Sequence, residues 1–199
     1  MTTHPSPFNA VLAAIDALNA ADPRHDVVDG ADVPREVVYA QRMSACLARL
    51  EPDASDVLRI AARGQHVRRW DIPRTSYPLG REGYNAWRTA CREHHVVLTS
   101  GIMRQHGYAD GEIAHVAKMI RKEDLKRDAD SQALENVAAV VFVEHYLADF
   151  AAAHPDLGAD KLVSILRKTL RKMDDTGHAA IRLMQLSPPV QRLIDAALA

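Results

Sequence analysis

Cysteine is scarce in this chain of 199 residues: Cys46 and Cys91 are the only two, too few for a disulfide framework and too far apart for a metal-binding spacing. Both fall inside apolar helical patterns, so the expectation is two buried thiols in a reducing compartment. Long apolar runs are also missing. The longest wholly apolar stretch, Val137 to Val143, is far shorter than the roughly 20 residues that span a bilayer. The opening Thr2-Thr3-His4-Pro5-Ser6-Pro7 has no basic segment leading into an apolar one, and the sequence therefore predicts a cytoplasmic protein with no membrane partner. Nor does either sign of charge dominate. Lys plus Arg number 25 against 26 Asp plus Glu, a formal net charge of -1, which argues against a general nucleic-acid-binding coat. Internal repeats, low-complexity tracts and linkers are absent, and no strand pattern stands apart from the helical ones.

What is present is helical periodicity. Phe8, Val11, Leu12, Ile15 and Leu18 share one face, and an acidic stretch from Asp22 to Val33 follows as a polar loop. Pro34 suits the first position of a second helix with Tyr39, Met43, Cys46, Leu47 and Leu50 inward; Glu36 in its first turn reads chiefly as an acid favoured by the helix dipole. Tyr84, Trp87, Cys91, His95, Leu98 and Ile102 form an unbroken stripe on a long helix over 81–106, closed by Gly107. The stretch from Ser131 to about His154 is apolar on nearly every side, the mark of a central buried helix. The predicted fold is all-α: a single compact domain of about eight helices over 1–199, with an acidic N-terminal segment over 1–33, a core over 34–175 and C-terminal helices over 176–199.

The window from Arg63 to Trp87 concentrates the chemistry. It holds His66, both tryptophans and a run of arginines, groups that are costly to bury or to expose unless they have partners. A helix starting near Pro52 and stopped by Pro73 places His66 one turn beyond Ala62 on the inward side, with Arg69 on the same face and Arg74 in the loop beyond. His95 faces inward from the next helix. Two inward histidines on adjacent helices form a candidate acid–base pair, because imidazole titrates near neutrality. Glu135 and Glu144, polar members of the central helix, are candidates to orient them. Arg69, Arg74, Lys122, Lys168 and Lys172 are candidate phosphate ligands, and Trp70, Tyr84 and Trp87 could stack on a base or simply pack. A buried ion-pair network that only holds helices together reads equally well at this point.

With these residues laid out, the chain resembles a bacterial and fungal family, domain of unknown function 4202. The resemblance covers nearly the whole sequence and is carried by Gln65-His66-Val67-Arg68-Arg69-Trp70-Asp71-Ile72-Pro73-Arg74, Tyr84-Asn85-Ala86-Trp87-Arg88, Leu134-Glu135-Asn136-Val137 and Arg167-Lys168-Thr169. The order of its polar residues is more distantly similar to HD-domain phosphohydrolases, which hold a divalent metal with a histidine, a His-Asp pair and a late aspartate. Glu36, Gln65-His66 and Asn136 fall at those places, with His95 and Lys122 near accessory histidines. The resemblance implies an HD-like scaffold with degenerate metal ligands, so no cofactor is identified and a divalent metal is the less favoured reading. Two functions follow as expectations. One is a pocket for a phosphorylated small molecule or nucleotide, with phosphoric-ester hydrolysis as its chemistry; the other is a non-catalytic module that senses a metabolite or docks a protein or RNA. The oligomeric state is left open.

Overall fold

The structure is a computed structural model describing residues 6–199, so the opening Thr2 to Pro5 lies outside the described residues. Among the described residues ten α-helices, two 3-10 turns and one hairpin follow in the order α1 (Pro7–Asn19), β1 (His25–Val28), β2 (Ala31–Pro34), α2 (Arg35–Leu50), α3 (Asp56–Gly64), 3-10 turns at Arg69–Asp71 and Arg74–Ser76, α4 (Gly80–Gln105), α5 (Asp110–Arg121), α6 (Ala129–His145), α7 (Leu147–Ala153), α8 (Ala159–Leu170), α9 (Asp175–Arg182) and α10 (Pro188–Leu198). The chain is predominantly helical, as its periodicity predicts. The count exceeds eight partly because the long apolar helix predicted to His154 breaks at Tyr146 into α6 and α7, which meet at 61°.

Helix α6 is the axis of the packing. Eleven of its residues are buried, among them Leu134, Val137, Val140, Val141 and Val143, and it packs on α2, α3, α5, α7 and α9. No single helix among the described residues is long and apolar enough to cross a membrane; the bent pair of α6 and α7 passes only on combined length and composition, and α6 is core. Buried Ile15, Met43, Leu47, Ile60, Met119 and Ile120 pack around it from α1, α2, α3 and α5. Arg63 ties three of these helices together: its guanidinium makes paired contacts of 2.7 and 2.6 Å to Asp16 on α1 and donates to the Ala40 carbonyl and Ser44 hydroxyl on α2. That arginine is a brace and not part of a binding surface.

Two expectations are corrected. The acidic stretch after α1 is not simply a loop: residues 25–34 form an antiparallel hairpin, with Val28 paired to Ala31 across Asp29-Gly30. Both turn residues have positive φ, 50° and 80°, the primed turn that an Asp-Gly pair favours. The helix carrying His66 ends at Gly64, well before Pro73. A Cβ on Gly64 would lie 2.5 Å from Thr99 Oγ1, so α3 and α4 cross at close approach where α3 stops. The chain then turns through left-handed Arg68 (φ 49°), whose N–H donates to buried Asn19 Oδ1 at 3.0 Å. This turn, not a continuous helix, aims His66 and Arg69 inward.

The segment from Ile72 to Pro78 is fastened over the start of α4. Trp87 Nε1 donates to the Ile72 carbonyl at 2.8 Å, and Arg74 donates to the carbonyls of Tyr77 and Pro78 at 2.9 Å each. A Cβ on Gly83 would sit 2.0 Å from the Pro78 oxygen, so only glycine allows this contact. The expected result of Gly83→Ala is a lower urea midpoint, by an overpacking cost on the order of 1–3 kcal/mol, with near-ultraviolet dichroism showing that Trp87 has lost its fixed environment.

Candidate functional site

The site begins with the α2 N-terminus. Asp22, buried at the end of the α1 turn, accepts from the Glu36 N–H at 3.1 Å and so caps α2 from a distance. Its carboxylate also accepts from the Arg24 backbone and side chain, and Arg24 Nη2 reaches on to Glu36 Oε1 at 2.8 Å. Glu36, with a side chain 5% exposed, is thereby turned inward, where its second oxygen lies 3.6 Å from His66 Nδ1. The first-turn acid is therefore more than a partner of the helix dipole and belongs to the site. Burial raises its carboxyl above the ordinary range, an effect that the hydrogen bond and charge of Arg24 and the charge of Arg69 offset only in part.

His66 lies flat against Tyr39, with ring centroids 3.8 Å apart and planes 10° apart. Tyr39 donates to Gln65 Oε1 at 3.3 Å, and the His95 ring stands 5.8 Å from that of His66. Burial first, then the positive charges of Arg69, Lys122, Arg88 and Arg24, hold the His66 imidazole well below the usual 6.5. It is therefore neutral at pH 7. His95 is lowered too, by burial and then by His66 and Arg69. Its Nδ1 faces the Val67 carbonyl at 2.9 Å, and since a carbonyl only accepts, Nδ1 carries the proton and Nε2 the lone pair.

Cations complete the arrangement. The Arg69 guanidinium lies over Trp87, 4.7 Å from the ring centroid, and Arg88 lies 5.8 Å from that of Tyr84. Both arginines are half-buried, and among the described residues neither pairs with a carboxylate. Lys122 ends α5 in a left-handed conformation (φ 64°) and pairs with Glu135 Oε2. Lys172 lies 3.6 Å from the other oxygen, Glu135 Oε1. Burial raises the Glu135 carboxyl, but the charge and hydrogen bond of Lys122 together with the charges of Lys172 and Arg88 outweigh it and hold the group below its ordinary value. Burial in turn lowers Lys122, against the pull of Glu135.

Of the residues predicted from the sequence, the fold gathers His66, His95, Arg69, Trp87, Lys122, Glu135 and Lys172 into one region. Tyr84, largely exposed, stands at its rim. Trp70 is half-buried with Arg68 5.6 Å over its ring, and Arg74 is occupied by the carbonyls that fasten the loop. Glu144 is elsewhere, paired with Arg49 at 2.7 Å: nine residues beyond Glu135, it lies half a turn round α6 and about 13 Å along it. Lys168 is exposed on α8 and joins no ion pair among the described residues. Sequence reasoning missed Arg24, Asp22, Tyr39 and Arg88 as members of the site. Arg88 had a signal, standing one residue after Trp87 and a turn beyond Tyr84 on the long helix.

Metal chemistry does not fit this donor set. Among the described residues no group of three or more His, Cys, Asp or Glu side chains is placed to hold an ion. Asn136 donates to Asp174 Oδ1 at 2.7 Å and accepts from Gln132 and from the Asp174 N–H, while Gln65 accepts from Tyr39. Glu36 and His66 are left as a pair.

Fold and site together define a helical protein with a buried, cation-rich histidine site. More particularly, the chain belongs to the family described as Domain of unknown function (DUF4202), whose model matches residues 9–194. Comparison with curated proteins and with solved structures gives no match.

The two depressed histidines fix a pH dependence. The unfolded chain takes up their protons near 6.5 and the folded chain does not, so stability is complete above that value and falls as pH drops below it. Glu36, raised above its ordinary 4.5, acts in the opposite sense, adding stability as pH falls toward 4.5. Urea midpoints measured from pH 8 to pH 5 are expected to decline, each imidazole costing up to about 1.4 kcal/mol for every tenfold rise in proton concentration, and His66→Asn is expected to flatten the decline.

Proposed function

We propose that this site binds a phosphorylated small molecule, a nucleotide being one such class, and hydrolyses its phosphate ester with His66 as the general base. The observation that carries the reading is the pair Arg69 and Arg88: two half-buried guanidinium groups with no carboxylate partner among the described residues, acting on a neutral imidazole. Arginines that ion pairs alone had drawn together would have their carboxylates within the fold. A planar fork held over an indole is instead suited to phosphate oxygens, and the fixed indole lowers the ordering cost of binding.

In this mechanism Arg69 and Arg88 hold the phosphoryl oxygens and, with the positive charge of Lys122 nearby, stabilise the charge that spreads over them in the transition state. His66 removes a proton from water as the water oxygen attacks phosphorus. The ester P–O bond breaks and the departing oxygen takes a proton from solvent. Glu36, 3.6 Å from Nδ1, orients the ring and supports the imidazolium as it forms. The HD-like order of polar residues supports the same class of reaction only in part, since Glu36 and His66 meet whereas Asn136 is engaged by Asp174.

A second reading, a non-catalytic metabolite-sensing or docking module, is favoured by one observation: the amides Gln65 and Asn136, at the places of metal ligands in the distant resemblance, are engaged by Tyr39 and by Asp174. Turnover separates the two. With a panel of phosphomonoesters, His66→Asn is expected to remove hydrolysis while phosphate affinity stays within a few fold, and Arg69→Ala to weaken phosphate about tenfold or more. Phosphate binding by the wild type without turnover of any ester would establish the sensing reading and sink the hydrolytic one. Because bound phosphate places negative charge beside His66, its pKa is expected to rise on binding. Calorimetry near pH 6 in buffers of different ionisation enthalpy should therefore register proton uptake.

A further inference from the structure

The cations of the site fall into two groups, and the second is larger than its own anion requires. Glu135 is 5% exposed, and one lysine would neutralise it. Two converge on it instead, Lys122 on Oε2 and Lys172 on Oε1. Each ammonium has three N–H donors and directs one at most to Glu135, so each keeps at least two for something else. Lys122 is nearly as enclosed as its partner, its side chain 16% exposed, and the left-handed backbone at the end of α5 holds it there. A buried ammonium with unused donors is costly unless a further acceptor arrives.

Arg88 joins the two groups. It lies on α4 beside Trp87, and one turn further on Arg92 donates to the Arg121 carbonyl at 3.0 Å, which brings that stretch of α4 against the end of α5 that carries Lys122. Arg69, Arg88, Lys122 and Lys172 set four positive charges against Glu135 and against the Asp22–Arg24–Glu36 cluster, which carries one more carboxylate than guanidinium and faces His66 through Glu36. One phosphate taken up by the guanidinium pair beside His66 leaves the spare donors of the lysine pair unused, and a second, linked phosphate engages them.

We propose that the ligand carries two linked phosphate groups, one held by Arg69 and Arg88 beside His66 and the other by Lys122 and Lys172, with Glu135 as the residue that positions both lysines. The inference rests on the phosphate reading of the site and narrows its substrate class to diphosphates. Lys172, with a side chain 44% exposed, is the residue to alter, because its removal leaves Glu135 paired with Lys122 and the fold intact.

Isothermal titration of the full chain with inorganic phosphate and with methylenediphosphonate, a diphosphate that cannot be hydrolysed at its bridge, tests this directly. The wild type is expected to bind the diphosphonate about tenfold tighter or more. Lys172→Ala is expected to cut that advantage to about threefold or less while leaving phosphate affinity within about twofold, whereas Arg69→Ala weakens both probes. Equal affinity of the wild type for the two probes, or an equal loss of both in Lys172→Ala, overturns the diphosphate inference and leaves the phosphate site standing. If neither probe binds, the phosphate reading falls and this inference falls with it.

Discussion

A carboxylate inside an apolar helix is the constraint on which much of this structure turns. Helix α6 is buried along most of its length, and Glu135 sits in the middle of it with almost no access to water. An isolated charge there would cost several kcal/mol, and the fold meets that cost by bringing lysines from two distant segments to its two oxygens. Lys122 comes from the end of α5 and Lys172 from the end of α8, so the ends of two helices are fixed relative to the core by one side chain. Gln132 and Asn136, on the same face of α6, extend the effect: they take the Lys172 carbonyl and Asp174 and tie the start of α9 to the centre. Gly177 lets Asn136 come that close, since a Cβ there would lie 2.8 Å from its Oδ1. The polar face of α6 both assembles the C-terminal third of the chain and sets the positive wall of the site.

The same device recurs at the opposite wall. Glu36 is buried because Asp22 caps its helix and Arg24 bridges the two acids. A pair of well-packed apolar residues would hold helices as firmly as either buried ion pair. Between the walls stand two neutral imidazoles, one stacked on a phenol and the other held by a carbonyl. Burial first, and then the positive charges around them, holds their protonation down.

Much of this is legible in the sequence, for a simple reason. Apolar stripes at a period of 3.6 locate helices, and the absence of a polar face picks out α6 as the central one. His95 can be set facing inward because it continues an apolar stripe on α4, whereas His66 reaches the same place through the turn after α3 and not through a helical stripe. Less legible is whatever depends on residues far apart in the chain. Glu36 in a first turn looks like any acid near a helix dipole until Arg24 and Asp22 are seen to turn it inward. Glu144 looks equivalent to Glu135 because a helix apolar all round offers no periodicity with which to rank its faces. The hairpin has a local signal in Asp29-Gly30, but its strands are four residues each, too short for an alternating pattern to stand out. Pro73 suggests where the histidine-bearing helix ends, yet the Gly64–Thr99 crossing stops it nine residues earlier.

The placement of α6 also has a consequence for how the chain comes off the ribosome. Its partners lie on both sides in the sequence: α2, α3 and α5 are made before it, α7 and α9 after. Until residue 181 has emerged, the nascent chain holds a seventeen-residue apolar helix with some of its surface uncovered and Asn136 without Asp174. Synthesis at about 5–20 residues per second keeps that surface open for a few seconds in every molecule made. The break at Tyr146 divides what would otherwise be one longer apolar helix, so the segment that waits is short.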